Sequence, residues 1–93
     1  MLEPLSPVEA KQRIRSILAS GDFSVTGHAR EEMEAEDLSI ADCVNVLRGG
    51  VVHPAEWEHG SWRHRVETSR ITVVIAFRSE DYFVVVTAWR AAP

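Results

Sequence analysis

The alternation of apolar and polar positions is clearest between residues 59 and 90. Three runs rich in β-branched and aromatic residues follow one another there, at residues 60–67, 71–77 and 82–89. The polar breaks between them are short, and short breaks permit only hairpin returns. The pattern therefore predicts an antiparallel meander whose central strand covers residues 71–78.

The first strand of this meander differs from the other two in its charge. Because side chains alternate across a strand, Trp62, His64 and Val66 share one face while Arg63 and Arg65 share the other. Two like charges side by side repel each other, which a fold tolerates most easily where an anion binds. A solvated outer face is the alternative interpretation of the same two arginines.

Three helices are predicted before the meander. Ser6 with Glu9, and Ser39 with Asp42, have the spacing of capping boxes and mark the starts of the first and third helices. The second helix is expected to begin near Thr26. Glycines follow the first and third helices, as is common where a helix ends.

The remaining segments complete an α+β arrangement. Residues 22–26 predict an extended connector or edge strand, and residues 51–54 predict a short edge strand because Pro54 lacks a backbone donor. Residues 55–60 predict a polar loop. The expected fold is one domain spanning residues 1–93, with N-terminal helices packed on a C-terminal twisted antiparallel sheet.

Apolar spacing also predicts the core. In the third helix, Ile40, Cys43, Val44 and Leu47 form one stripe. Cys43 is the single cysteine, so it cannot form an internal disulfide. The residues expected to be buried are Ile14, Ile17, Leu18, Met33, Ile40, Val44, Leu47, Val73, Ile75, Val84 and Val86.

The charged residues are unevenly distributed along the chain. The net charge of −4 argues against a general nucleic-acid binder. Residues 1–58 hold 5 basic and 11 acidic residues, whereas residues 59–93 hold 5 basic and 3 acidic residues. The basic sheet half permits a local anion site. Without a membrane-length apolar run or a signal peptide, we expect a cytoplasmic protein with no membrane partner.

Motifs for nucleophilic catalysis and phosphate loops are absent from the sequence, and the histidines are the candidates for chemistry. The spacing of His53, His59 and His64 suits neither a helix face nor a zinc site, so no metal or other cofactor is expected. His28 falls in the first turn of the second helix, where free backbone N–H groups keep an imidazole neutral, as a general base requires. A histidine that only caps or packs is the alternative.

A resemblance to a known family rests on the order of several short motifs. They are His28-Ala29-Arg30 with Met33, Leu38-Ser39 before a helix carrying Val44 and Leu47, residues 60–65, and residues 84–87. Across about residues 23–89 the chain resembles a bacterial family of unknown function that is related to the RelE, BrnT and MqsR toxins. Two departures are Glu32, where the family commonly has arginine, and the acidic overall charge.

The resemblance implies a RelE- or barnase-like fold and a metal-independent endoribonuclease toxin of a type II toxin–antitoxin system. Such enzymes use the 2′-hydroxyl of RNA as the nucleophile, so they need a base, an acid and cations around the phosphorus. The implied catalytic residues are His28 as the base, Arg65 at the phosphate and Thr87 as a hydrogen-bond donor.

The predicted substrate-binding residues are Arg63, His64, Tyr82, Trp89 and Arg90. Tyr82 or Trp89 could stack on a base, whereas His64 faces away from Arg65 and could join it only through a bulge. The implied partners are RNA and a cognate antitoxin, a DNA-binding protein from a neighbouring gene. The alternatives are a non-catalytic protein-interaction module of the same fold, or a small-ligand or metal binder supported only by the histidines.

Overall fold

Three helices cover one face of a six-stranded mixed sheet in the computed structural model, which describes residues 2–92. This confirms the α+β class. The helices are α1 (Pro7–Ser20), α2 (Gly27–Ala35) and α3 (Ile40–Gly49). The strands are β1 (Asp22–Val25), β2 (Val51–Val52), β3 (Glu56–Glu58), β4 (Ser61–Glu67), β5 (Ile71–Ser79) and β6 (Tyr82–Arg90). No helix formed by residues 2–92 is long and apolar enough to cross a membrane.

Side-chain caps fix the starts of all three helices. Ser6 and Glu9 exchange hydrogen bonds of 3.0 and 3.2 Å at α1, and Ser39 and Asp42 exchange bonds of 2.9 and 3.1 Å at α3. Thr26 caps α2 by accepting a hydrogen bond from the backbone three residues later. Both predicted capping boxes are therefore confirmed.

The sheet has the strand order β1-β6-β5-β4-β2, with β3 also paired to β4. Strands β4, β5 and β6 form the predicted antiparallel meander, and β5 lies at its centre. The edge strand β1 runs parallel to β6, so the sheet is mixed. β1 runs in the same direction as β6 because α1 ends beside the β5–β6 turn, so both strands begin at the same end of the sheet. There the backbone N–H of Asp22 donates to the Asp81 carbonyl.

Residues 55–60 are not the predicted loop, because residues 56–58 form a hairpin strand with β4. His59 and Gly60 have φ angles of 48° and 80° and make a two-residue turn, a geometry that requires positive φ at both positions. Trp57 packs edge-on against Trp62 across the hairpin, with ring centroids 5.3 Å apart. The turn has the sequence His-Gly instead of the Asn-Gly or Asp-Gly that marks such a turn in a sequence, and the hairpin was therefore not predicted.

The main core lies between the helices and the face of the sheet that they cover, here called the inner face. In α3 the buried residues are Cys43, Val46 and Leu47, whereas Ile40 is 42% exposed and Val44 is half-buried. The predicted burial of Ile40 was therefore wrong, and Val44 and Leu18 are buried only in part. Ile40 is the first residue of the helix, so no preceding turn lies beneath its side chain.

The opposite side of the sheet, here called the outer face, has a smaller apolar cluster, and no helix within residues 2–92 contributes to it. Val74, Ala76, Val84 and Val86 form this cluster. Val84 and Val86 are buried as predicted, but they lie away from the main core.

A β-bulge in β6 decides which residues reach the outer face. Val74 pairs with Thr87 and Ile75 pairs with Val85, so Val86 is the extra residue. Beyond the bulge, Ala88 belongs to the main core while Thr87 turns to the outer face. A regular ladder through Val86 would have pointed Thr87 towards the helices.

Candidate functional site

An open cleft of about 320 Å³ lies on the outer face, between the β3–β4 hairpin and β6. Its lining residues are Glu56, Glu58, Arg63, Arg65, Val74, Thr87 and Trp89. The cleft brings together four of the residues that the sequence predicted for the site: Arg63, Arg65, Thr87 and Trp89.

Strand register explains why these side chains meet. Arg65 pairs with Val74, which pairs with Thr87, so the three form one row across β4, β5 and β6. Two strand spacings separate Arg65 from Thr87, roughly 10 Å between backbones, and the long arginine side chain can span much of it. Thr26 anchors the bulge that completes this row, because its hydroxyl donates to the Val86 carbonyl at 3.4 Å.

The two arginines are only weakly neutralised. Arg65 Nε lies 3.5 Å from a Glu56 carboxylate oxygen, and Arg63 Nη1 lies 3.9 Å from one of Glu58. Both carboxylates are more than half exposed, and exposed pairs contribute under about 1 kcal/mol. Arg63 Nε is buried and has no acceptor within residues 2–92. An anion that accepts from both guanidinium groups could therefore displace these pairs.

The two predicted base-stacking residues have different surroundings. Trp89 is half-buried, packs on the outer-face cluster and lines the cleft. Tyr82 also packs on that cluster, but its hydroxyl is hydrogen-bonded to Ser24 of β1, away from the cleft lining. Trp89 is therefore the better placed of the two.

His64 lies on the inner face, as strand alternation predicted. The pairing of β4 with β5 continues without a shift through His64 and Arg65, so His64 does not join Arg65 in the cleft. Its ring is fully buried, lies 5.5 Å from that of Phe77, and has no hydrogen-bond partner among the described residues. Burial lowers the pKa of His64, and the nearby His53 backbone acts in the opposite direction. A substrate on the outer face cannot reach this imidazole.

Arg90 caps the C-terminal end of α2. Its Nε donates to the Glu36 carbonyl at 2.7 Å, and its Nη2 donates to the Asp37 carbonyl at 2.9 Å. Carbonyls at a helix C-terminus lack partners within the helix, so the guanidinium completes this end. The contact directs Arg90 away from its predicted role at the substrate.

His28 lies outside the cleft lining. Its side chain is 65% exposed, and Nε2 lies 3.9 Å from a Glu32 carboxylate oxygen. Arg30 and Glu34 border a groove next to α3, so His28 and Glu32 occupy the opposite flank of α2. Ala29 and Met33 of the same helix belong to the main core, so His28 lies at the start of a helix that packs on the inner face, near the point where Thr26 bonds to β6.

The sequence interpretation missed a second polar group on the outer face. His53 Nε2 lies 2.9 Å from Glu67 Oε1, and the Thr72 hydroxyl donates to Glu67 Oε2 at 3.3 Å. The backbone N–H of His53 donates to the Arg65 carbonyl at 2.9 Å, which places His53 directly across from Arg65. The signal that could have found this pair is the register of β2 against β4.

His53, His59 and His64 lie close in sequence but have different surroundings. His53 pairs with Glu67, His59 lies in the hairpin turn and His64 is in the core. Within residues 2–92, no group of three or more His, Cys, Asp or Glu side chains is arranged to hold a metal ion.

Comparison with known protein families, with curated proteins and with solved structures found no match to this chain. The resemblance to the RelE, BrnT and MqsR toxins therefore stays a prediction from motif order and spacing. Functional interpretation rests on the geometry of the cleft.

Proposed function

We propose that the outer-face cleft binds single-stranded RNA and that the protein is a metal-independent endoribonuclease. The observation that supports this most is the convergence of Arg63, Arg65, Thr87 and Trp89 on one open surface. Guanidinium groups and a hydroxyl suit a phosphodiester, and an indole suits a stacked base. An open sheet face can accept a single strand whose bases are splayed apart.

The chemistry requires only the RNA, side chains and water. The 2′-oxygen loses its proton and attacks the phosphorus, the bond to the 5′-oxygen breaks, and the 5′-oxygen takes a proton from water, so a 2′,3′-cyclic phosphate and a 5′-hydroxyl result. Arg65 and Arg63 would stabilise the charge that develops on the phosphate oxygens. His28, in the first turn of α2, is the proton acceptor predicted from sequence.

Binding without cleavage is the second candidate function, and one observation favours it. Glu56 and Glu58 already pair with the two arginines, and none of the histidines in the described residues lines the cleft. The protein would then be an interaction module. Its acidic helical half, in which residues 1–58 hold 11 acidic residues, would suit a basic partner.

We also propose that a cognate antitoxin covers the cleft, since a ribonuclease toxin needs a partner that blocks its site. Arg63 and Arg65 already contact acidic side chains within the chain, so acidic side chains of the antitoxin would suit them. The product of the neighbouring gene should co-purify with the protein. Reversing both charges with Arg63→Glu and Arg65→Glu should abolish this association, and unchanged binding would contradict it.

Cleavage of a single-stranded RNA in the presence of EDTA tests the ribonuclease proposal directly. We expect products with 2′,3′-cyclic phosphate ends. Arg65→Ala should slow cleavage by roughly 10²-fold or more, because the guanidinium meets charge that grows in the transition state. Arg48→Ala removes the same charge from the end of α3, on the helix side of the sheet, and should cleave like the wild type.

The possible results separate the two candidates. RNA that binds but is never cleaved would favour the interaction module. Cleavage that EDTA abolishes would contradict the metal-independent mechanism. Equal loss in Arg65→Ala and Arg48→Ala would show that the cleft is not the site.

A further inference from the structure

We infer that His53 and Glu67, which lie next to Arg65 on the outer face and just outside the cleft lining, form the proton-transfer pair for RNA bound in the cleft, and that His53 rather than His28 accepts the proton of the 2′-hydroxyl. This inference rests on the proposed function and deepens it. It follows from where His53 lies, how its ring is oriented and which of its nitrogens is free.

The position of His53 is set by the edge of the sheet. Its backbone N–H donates to the Arg65 carbonyl, which extends the pairing of β2 with β4 by one residue. Val52 points into the core, so alternation places His53 on the outer face with Arg65. Residues paired in this way lie about 5.5 Å apart. His28, in contrast, lies on α2, which packs on the inner face. Among the histidines of residues 2–92, His53 is therefore the one whose backbone pairs with Arg65 and whose side chain shares its face.

The orientation of the ring comes from two further side chains. Glu67 Oε1 contacts His53 Nε2 at 2.9 Å, while Glu67 Oε2 accepts a hydrogen bond from Thr72 at 3.3 Å. Thr72 is 2% exposed and lies in the central strand, so it fixes the carboxylate from a rigid position. A carboxylate that accepts Nε2–H leaves the lone pair on Nδ1 and stabilises the imidazolium once it forms.

The pair is partly open to solvent. The His53 side chain is 32% exposed and the Glu67 side chain is 44% exposed. Nδ1 would take the proton from the 2′-hydroxyl as the 2′-oxygen bonds to phosphorus. The 5′-oxygen leaves with the electron pair of the broken bond and takes a proton from water. His53 then returns its proton to solvent. The neutral imidazole is thereby regenerated, and the cleavage takes up no net protons.

A purely structural pair at a sheet edge is the competing interpretation. It predicts that replacing His53 lowers stability and leaves cleavage per folded molecule unchanged. Our inference predicts the reverse. Glu67 and Thr72 act as positioning residues in it, because they would touch His53 and not the RNA.

Single-turnover cleavage of a single-stranded RNA, measured beside RNA affinity, distinguishes these interpretations. His53→Asn should lose roughly 10²- to 10⁴-fold in rate while its Kd for RNA stays unchanged. His28→Asn should lose less than His53→Asn. His59→Asn, in the exposed hairpin turn, is the matched control and should cleave like the wild type. Glu67→Gln should lower the single-turnover rate without raising the Kd, and Glu67→Asp should recover part of the loss.

A readout that needs no turnover completes the test. A dinucleotide with 2′-deoxyribose at the cleavage position binds without being cleaved, and it should shift the NMR ring signals of His53. Arg65→Ala should remove this shift. An unshifted His53 ring, or equal cleavage by His53→Asn and wild type, overturns the inference and leaves the ribonuclease proposal standing. Failure of the wild type to bind or cleave RNA overturns both.

Discussion

The two faces of the sheet are built from the same strands and have opposite properties. The inner face is apolar and covered by three helices, and most of the core residues lie there. The outer face has only a small apolar cluster, beside which two arginines, a threonine and a tryptophan border an open cleft. Alternation along each strand thus assigns one set of side chains to stability and leaves the other set free to bind a ligand.

Adjacent residues of β4 show the difference most clearly. His64 is fully buried and has no hydrogen-bond partner among the described residues, whereas the Arg65 side chain is 46% exposed beside Glu56. A histidine is often taken as a functional residue, yet here the face decides its role. The face on which a residue lies therefore carries more information about its function than its type.

The largest effect is expected from charge placed on the inner face. Leu47→Asp should unfold the protein, because an unpaired buried carboxylate costs several kcal/mol against a stability of roughly 5–15 kcal/mol. Ile40→Asp, on the exposed start of the same helix, should melt within a few degrees of the wild type. Thermal unfolding followed by circular dichroism compares them, and equal loss in both would contradict the assignment of the inner face.

A smaller effect is expected from the pH dependence of stability. Burial lowers the pKa of His64 in the folded protein, whereas in the unfolded chain the ring takes up a proton near pH 6.5. Stability should therefore fall as the pH drops below about 6.5, by at most about 1.4 kcal/mol per pH unit from this group. Denaturant titrations should show that His64→Leu lacks this component and that His59→Asn keeps it. An identical pH dependence in His64→Leu and wild type would show that the ring is not kept neutral by burial.

The smallest effect concerns the outer face. Glu56→Gln should release Arg65 from its weak ion pair and tighten RNA binding about two- to fivefold at low salt, an effect under about 1 kcal/mol. Glu31→Gln makes the same change on the exposed surface of α2 and should leave affinity unaltered beyond a small general charge effect. Weaker binding by Glu56→Gln would indicate that this carboxylate helps to hold the RNA.

Local signals in the sequence were enough for much of the fold. The capping residues Ser6 and Ser39 mark helix starts through hydrogen bonds within four residues, and the short breaks of the meander permit only one way of returning. Arg63 and Arg65 could be placed on one face because alternation needs no partner strand. These features depend on neighbours in the chain.

Features that depend on pairing could not be obtained in this way. The bulge at Val86 exists because two strands of different local length pair, and it alone brings Thr87 to the outer face. His53 reaches Arg65 only through the register of a two-residue strand. The placement of Thr87 and His53 therefore depends on strand register, which cannot be deduced from a linear pattern of residue types.

RNA affinity measured against salt concentration tests the central claim, that the outer-face arginines bind RNA phosphates, most directly. Wild-type affinity should fall linearly on logarithmic axes as salt increases, because bound phosphates release counterions. Arg65→Ala should bind about tenfold more weakly or worse and show a slope reduced by about 0.7 for one lost phosphate contact, whereas Arg48→Ala should match the wild type. If Arg65→Ala bound RNA with the affinity and salt dependence of the wild type, the outer face would not be the RNA site.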